Sequence, residues 1–103
     1  DPGLPLAAHF HDTRGTAIAN CLEAIRMGVT TVDSSSGGLG GCPYAKGASG
    51  NLATEDLLYM LHGMGFATGV DLEKVCEASA YLEDALDVSL PSRYFRAWKG
   101  QKR

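Results

Sequence analysis

The segment from Gly37 to Asn51, GGLGGCPYAKGASGN, holds six glycines in fifteen residues and no run of large apolar side chains. Glycine loses more backbone freedom on folding than any other residue. Such a density is expected where the chain must turn sharply or pass close to other groups. The stretch cannot fill a core, so it must be a loop and the core must lie to either side of it. At its centre stands one thiol, Cys42, followed by Pro43 and Tyr44. A thiol on a partly exposed loop is open to chemistry in a way that a core thiol is not. The competing reading of Cys42 is an incidental loop residue.

The flanks of the loop define a pattern. Leu6 to His11 is a short, mainly apolar run whose length suits a buried strand. Thr13 to Met27 carries Ile18, Leu22 and Ile25 at helical spacing, with Asp12 or Thr13 as cap and Gly28 as stop. Gly15, inside the expected first turn, points to a close contact there. Val29 to Asp33 is rich in β-branched residues and reads as a second strand. Strand, helix, strand with short connections predicts parallel pairing with a right-handed crossover. Beyond the loop, Leu52 to Gly65 predicts a helix with Leu57, Leu58 and Leu61 on one face. Thr54, Glu55 and Asp56 suit its N-terminal dipole. Asp71 caps a further helix to about Asp87, with Leu72, Val75, Cys76, Ser79, Leu82 and Leu86 as its stripe. Pro91 to Trp98 predicts a short last helix. Tyr81, Tyr94, Phe95 and Trp98 read as packing residues, or as a docking surface. A two-stranded parallel sheet leaves edges and faces uncovered, so the economical reading is the C-terminal part of a longer α/β chain.

Composition narrows the function classes. The 103 residues suit one small domain, with 45% hydrophobic and 20% charged residues. No apolar run approaches the roughly 18 residues of a membrane span. A net charge of −3 gives no general attraction to nucleic acid or anionic lipid. Five basic and no acidic residues lie between Arg93 and Arg103, a pattern that suits a solvated end or, less simply, a phosphate-bearing ligand. Three cysteines make no disulfide framework. Cys21 and Cys76 fall on apolar helix faces, where buried cysteine is common.

The chemistry-bearing residues follow the C-terminal ends of the two strands, the edge at which parallel α/β folds place their sites. His9 and His11 share a strand face, because side chains repeat every second residue. Two imidazoles so placed can serve one metal ion; alternatively one packs and the other is solvated. Asp12 is either a second-shell partner or a helix cap. Asn51 offers an amide oxygen to a hard cation, or caps the following helix. The glycines match neither the dinucleotide nor the P-loop pattern, so a nucleotide site is not expected.

HFHDTRGTAIAN, followed by VDSSSGGLGGCPYAKGASGNLATEDLLYMLHGMG, closely resembles the C-terminal part of the 3-hydroxy-3-methylglutaryl-CoA lyases. These belong to the metallolyase branch of TIM barrels that also holds isopropylmalate and homocitrate synthases. The resemblance runs from about Leu6 to Gly69. GGCPYAKGASGN is its specific part. The resemblance implies the last two strands of a (β/α)8 barrel with a C-terminal helical extension, so that residues 1–103 form a partial catalytic domain with its loop at 37–51. It implies Mg²⁺ or Mn²⁺ held by His9, His11 and Asn51, with an aspartate from an absent upstream strand. It implies Cys42 as general acid/base, with His9 also among the catalytic residues and Gly40, Gly41, Gly47 and Gly50 shaping the substrate loop. The implied reaction is retro-aldol cleavage to acetyl-CoA and acetoacetate, serving leucine degradation and ketone-body synthesis. The implied partners are an acyl-CoA, the missing N-terminal barrel portion and a possible second copy, but neither nucleic acid nor membrane. The implied location is the bacterial cytoplasm or the mitochondrial matrix. The alternatives are a related carbon–carbon lyase or synthase acting on another acyl-CoA or 2-oxo acid, and a non-catalytic binding module.

Overall fold

The computed structural model describes residues 3–40 and 50–102. In chain order it contains β1 (Ala7–His9), α1 (Ala17–Arg26), β2 (Thr31–Asp33), a 3-10 turn (Ser36–Gly38), α2 (Thr54–Gly63), α3 (Leu72–Leu86) and α4 (Arg93–Gln101). The two strands pair in parallel, with Ala7, Ala8 and His9 opposite Thr31, Val32 and Asp33. Both are shorter than expected. Ala7 and His9 are exposed and Ala8 is half-buried. The expected burial of β1 is therefore not met. One side of the sheet packs through Phe10 and Val32 on α1, and among the described residues nothing covers the other.

α1 begins at Ala17, four residues later than expected. The N–H of Gly15 donates to the Asp12 carbonyl at 3.0 Å, closing a turn that Gly15 completes at φ 76°. A Cβ at Gly15 would meet open space, so this glycine serves the turn and not the close contact expected of it. The N-cap position falls at Thr16, not at Asp12 or Thr13 as expected, and it makes no side-chain cap bond; Asp12, outside the helix, accepts from the N–H of Ala17 at 3.1 Å through Oδ1. Gly28 ends the helix at φ 101°. Ala17 and Cys21 sit in a first core with Leu52 and Leu57, against which Phe10, Ile18, Ile25, Val32, Met60 and Leu61 pack.

A second core joins Cys76, Leu90 and Phe95, flanked by Leu39, Leu72, Ala80, Tyr94 and Trp98. Of the expected α3 stripe, Leu86 departs to the surface at 50% exposure, beside the left-handed Asp87 that ends the helix. Tyr81 also departs, at 73% exposure, whereas Phe95 is fully buried. α4 is fixed at its start by Ser92, whose Oγ accepts from the Phe95 N–H at 3.1 Å and donates to Asp56 Oδ1 at 2.9 Å. The basic C-terminal stretch is not simply solvated. Lys99 pairs with the buried Glu83. Lys102 lies 3.2 Å from Glu73 and 5.6 Å over the Trp98 ring.

Burial alone would push the Glu83 carboxyl up. The Lys99 ammonium and the Leu90 N–H, which donates at 2.9 Å, outweigh it and hold the group below its ordinary value. A carboxyl lowered in the folded state adds stability above its unfolded pKa and loses it as pH falls through the folded value. Thermal unfolding of the full-length protein that carries this segment is therefore expected to lose stability below about pH 4.5. Glu83→Gln is expected to flatten that slope and to lower stability near neutral pH.

Candidate functional site

The site forms where residues 50–53 return from the glycine-rich loop and pair with the chain on both sides. The N–H of Asp12 donates to the Gly50 carbonyl and that of Leu52 to the Phe10 carbonyl, each at 3.1 Å. On the other side Ser35 donates to Leu52 at 2.9 Å and Thr54 to Ser35 at 2.8 Å. These bonds set His11 opposite Asn51 and Ser35 opposite Ala53. Two residues 40 positions apart in sequence thus become neighbours through backbone alone. The His9 and His11 rings meet edge to face with centroids 5.3 Å apart.

The donor chemistry suits a divalent ion. Asn51 Nδ2 donates to the Leu39 carbonyl at 3.3 Å, which leaves Oδ1 as the amide's unengaged end. His9 Nδ1 faces the Asp33 carboxylate at 3.6 Å, which leaves Nε2 for a ligand. Two imidazole nitrogens and one carboxamide oxygen form a partial donor set. Among the described residues no three His, Cys, Asp or Glu side chains converge as metal ligands. The alternative reading of Asn51 as a helix cap fails, since Ala53 occupies that position.

The glycines at the neck of the loop are there for space and for backbone sign. Gly40 adopts φ 97°, and a Cβ on it would stand 2.9 Å from Asn51 Nδ2. At Gly50 a Cβ would run into the carbonyl oxygens of Gly40 and Gly38. The close approach expected of this stretch is thus real at both ends. Gly41, Cys42, Pro43, Tyr44 and Gly47 lie outside the described residues.

Reading Glu55 as a dipole partner in the first turn of α2 missed its main role. It is fully buried, and both its oxygens accept from the Gly37 N–H, at 2.8 and 3.1 Å. The Ser79 hydroxyl donates to Oε2 at 2.5 Å. Since that proton is committed, the Ser36 hydroxyl donates to Ser79 Oγ across 2.7 Å. Gly37 also accepts from Ser92 at 3.0 Å, and a Cβ on it would collide with Leu90. One available signal was the spacing of Glu55 from Leu58, three residues on, which puts it on the apolar side of the helix. Ser34, Ser35 and Ser36, just beyond β2, bond Thr54 Oγ1, the Leu39 carbonyl and Ser79 in turn.

The two described thiols are inert. Burial pushes Cys21 up, and burial followed by Glu55, Glu73 and Asp56 pushes Cys76 up to about 12. Both stay protonated near neutral pH. Arg14, Arg93 and Arg96 border a cleft of about 440 Å³ with Asp12, Thr13 and Pro91. A larger cleft of about 600 Å³, lined in part by Ile18, Tyr59, Met60 and Tyr94, includes neither histidine nor Asn51.

This arrangement is a parallel α/β segment with its candidate residues at the C-terminal strand ends. It is part of a TIM barrel. A family model described as HMGL-like matches residues 2–82, and the chain belongs to that family. It is 53% identical over 98 residues to hydroxymethylglutaryl-CoA lyase YngG of Bacillus subtilis, covering 95% of this chain and 33% of that protein. It is 58% identical over 96 residues to the mitochondrial hydroxymethylglutaryl-CoA lyase of Mus musculus, covering 93% of this chain and 30% of that protein. The solved hydroxymethylglutaryl-CoA lyase of Pseudomonas aeruginosa superposes with a TM-score of 0.89 at 47% identity, over 93% of this chain and 32% of that one. The chain thus spans about a third of the length of these relatives.

Two outcomes test this geometry in the full-length protein. Gly50→Ala is expected to cost about 1–3 kcal/mol through forced backbone shifts. Gly100→Ala, in open space inside α4, is expected to gain up to about 1 kcal/mol; chemical denaturation compares the two. In native buffer at pH 8 a thiol reagent is expected to leave Cys21 and Cys76 unmodified, and to label both after unfolding; peptide mass spectrometry reads the difference.

Proposed function

We propose that this chain is the C-terminal part of a metal-dependent carbon–carbon lyase. It cleaves 3-hydroxy-3-methylglutaryl-CoA to acetyl-CoA and acetoacetate. The observation that carries the reading is the backbone pairing that sets Asn51 beside His11 at the strand ends. The identity to lyases of that name supports the substrate. His9, His11 and Asn51 hold Mg²⁺ or Mn²⁺, with further ligands from the rest of the barrel. When bound, such an ion polarises the tertiary hydroxyl and a carboxylate oxygen of the substrate.

The chain's own residues do the rest of the work assigned to this segment. His9 is a candidate catalytic residue as well as a ligand. Its Nδ1 faces Asp33, which favours the ligand role. A base takes the tertiary hydroxyl proton as that carbon becomes a carbonyl, the C–C bond breaks, and the electron pair is left on the acetyl-CoA carbon, which takes up a proton in turn. The Cys42 thiol donates it, and the loop through Gly40, Gly41, Gly47 and Gly50 keeps water away. Arg14, Arg93 and Arg96 suit the phosphate end of an acyl-CoA. The active form includes the remaining barrel and is a possible homodimer. It works in the bacterial cytoplasm or the mitochondrial matrix.

Cys42→Ser in the full-length protein tests this reading. Turnover of hydroxymethylglutaryl-CoA with Mg²⁺ is expected to fall by about 10²–10⁴-fold, the usual contribution of a positioned acid, while Mn²⁺ binding persists. Unchanged turnover removes Cys42 from the reaction. Residues 1–103 alone are expected to show no turnover.

A further inference from the structure

His9 and Asp33 are register partners, one at the end of each strand, so their side chains rise from the same sheet face. Nδ1 of the imidazole stands 3.6 Å from Asp33 Oδ2. The two side chains are 51% and 60% exposed. An exposed polar contact in that setting contributes little to stability, so folding does not account for it. What the carboxylate does control is the ring. A carboxylate facing Nδ1 draws the proton of the neutral imidazole to that nitrogen. The Nε2 lone pair is then free on the opposite side of the ring.

We propose that Asp33 is a positioning residue for His9. Its carboxylate holds the Nδ1–H tautomer, fixes the ring angle and makes Nε2 a better donor to a divalent cation. This rests on the reading that His9, His11 and Asn51 hold such a cation. Outer partners of this kind commonly set the orientation and basicity of a ligating histidine. Asp33 is not itself the third ligand. Its Oδ2 faces Nδ1, the ring nitrogen that is not assigned to the ion.

Free Mn²⁺, measured by electron paramagnetic resonance during titration of the full-length protein, tests the proposal. Asp33→Asn is expected to weaken Mn²⁺ binding by about 10–100-fold, with the thermal midpoint unchanged. Asp33→Glu is expected to restore part of the loss. The double variant His9→Ala with Asp33→Asn is expected to bind no more weakly than His9→Ala alone, because Asp33 acts through the ring. Parent-like Mn²⁺ binding by Asp33→Asn overturns the proposal and leaves the metal reading standing. So does a double variant that shows the two losses multiplied, since that marks Asp33 as an independent ligand. A parent protein that binds no Mn²⁺ overturns the metal reading and this proposal together.

Discussion

The return of residues 50–53 between the two strand ends is the constraint on which the rest depends. Three backbone bonds, to Phe10, Asp12 and Ser35, hold it, and Thr54 just beyond adds a fourth to Ser35. Backbone bonds fix position without regard to side-chain identity, so the segment can carry Asn51 to His11 while Leu52 enters the first core. The demand falls on the glycines. Carbonyl oxygens of Gly38 and Gly40 occupy the space that any side chain at Gly50 would need. The backbone can pass here only where one residue lacks a Cβ, and that residue immediately precedes Asn51.

A buried carboxylate secures the other end. Glu55 places its charge where no water reaches it, and three hydrogen bonds to Gly37 and Ser79 compensate for the lost solvation. Gly37 in turn meets Leu90 and Ser92, so the turn after β2 is tied to α2, to α3 and to the segment that leads into α4. Asp56, the next residue, fixes the start of α4 through Ser92 and the Tyr94 N–H. Two adjacent acids in one helical turn thus face different partners. The C-terminal helices are coupled to the loop base in this way and not merely appended to it.

The thiols show the same division by environment. Cys21 and Cys76 are held protonated by burial, and Cys76 further by the acids around it. Their sequence context, on apolar helix faces, was enough to foretell this. The exposed positions Tyr81 and Leu86 were not foretold, because helical spacing marks a stripe without saying what lies opposite it. Glu55 was misjudged for the converse reason. Its place in a first turn fits a dipole partner, and only the approach of Gly37 and Ser79 from elsewhere in the chain makes it a core residue.

The sequence by itself determined the element order, the parallel pairing, the capping of α3 by Asp71, the end of α1 at Gly28, and the strand-end placement of His9 and His11. Each of these follows from local periodicity or from the dihedral preference of a single residue type. The resemblance carried by the loop motif pointed to the family in which the chain belongs. The tertiary structure decided what depends on distant partners. It set Asn51 opposite His11, made Gly40 and Gly50 sterically necessary, and placed Asp33 against His9. It also turned the basic C-terminal stretch partly inward to Glu83 and Glu73. These are pairings between residues 10 to 40 positions apart, and no local preference specifies which distant group a side chain will meet.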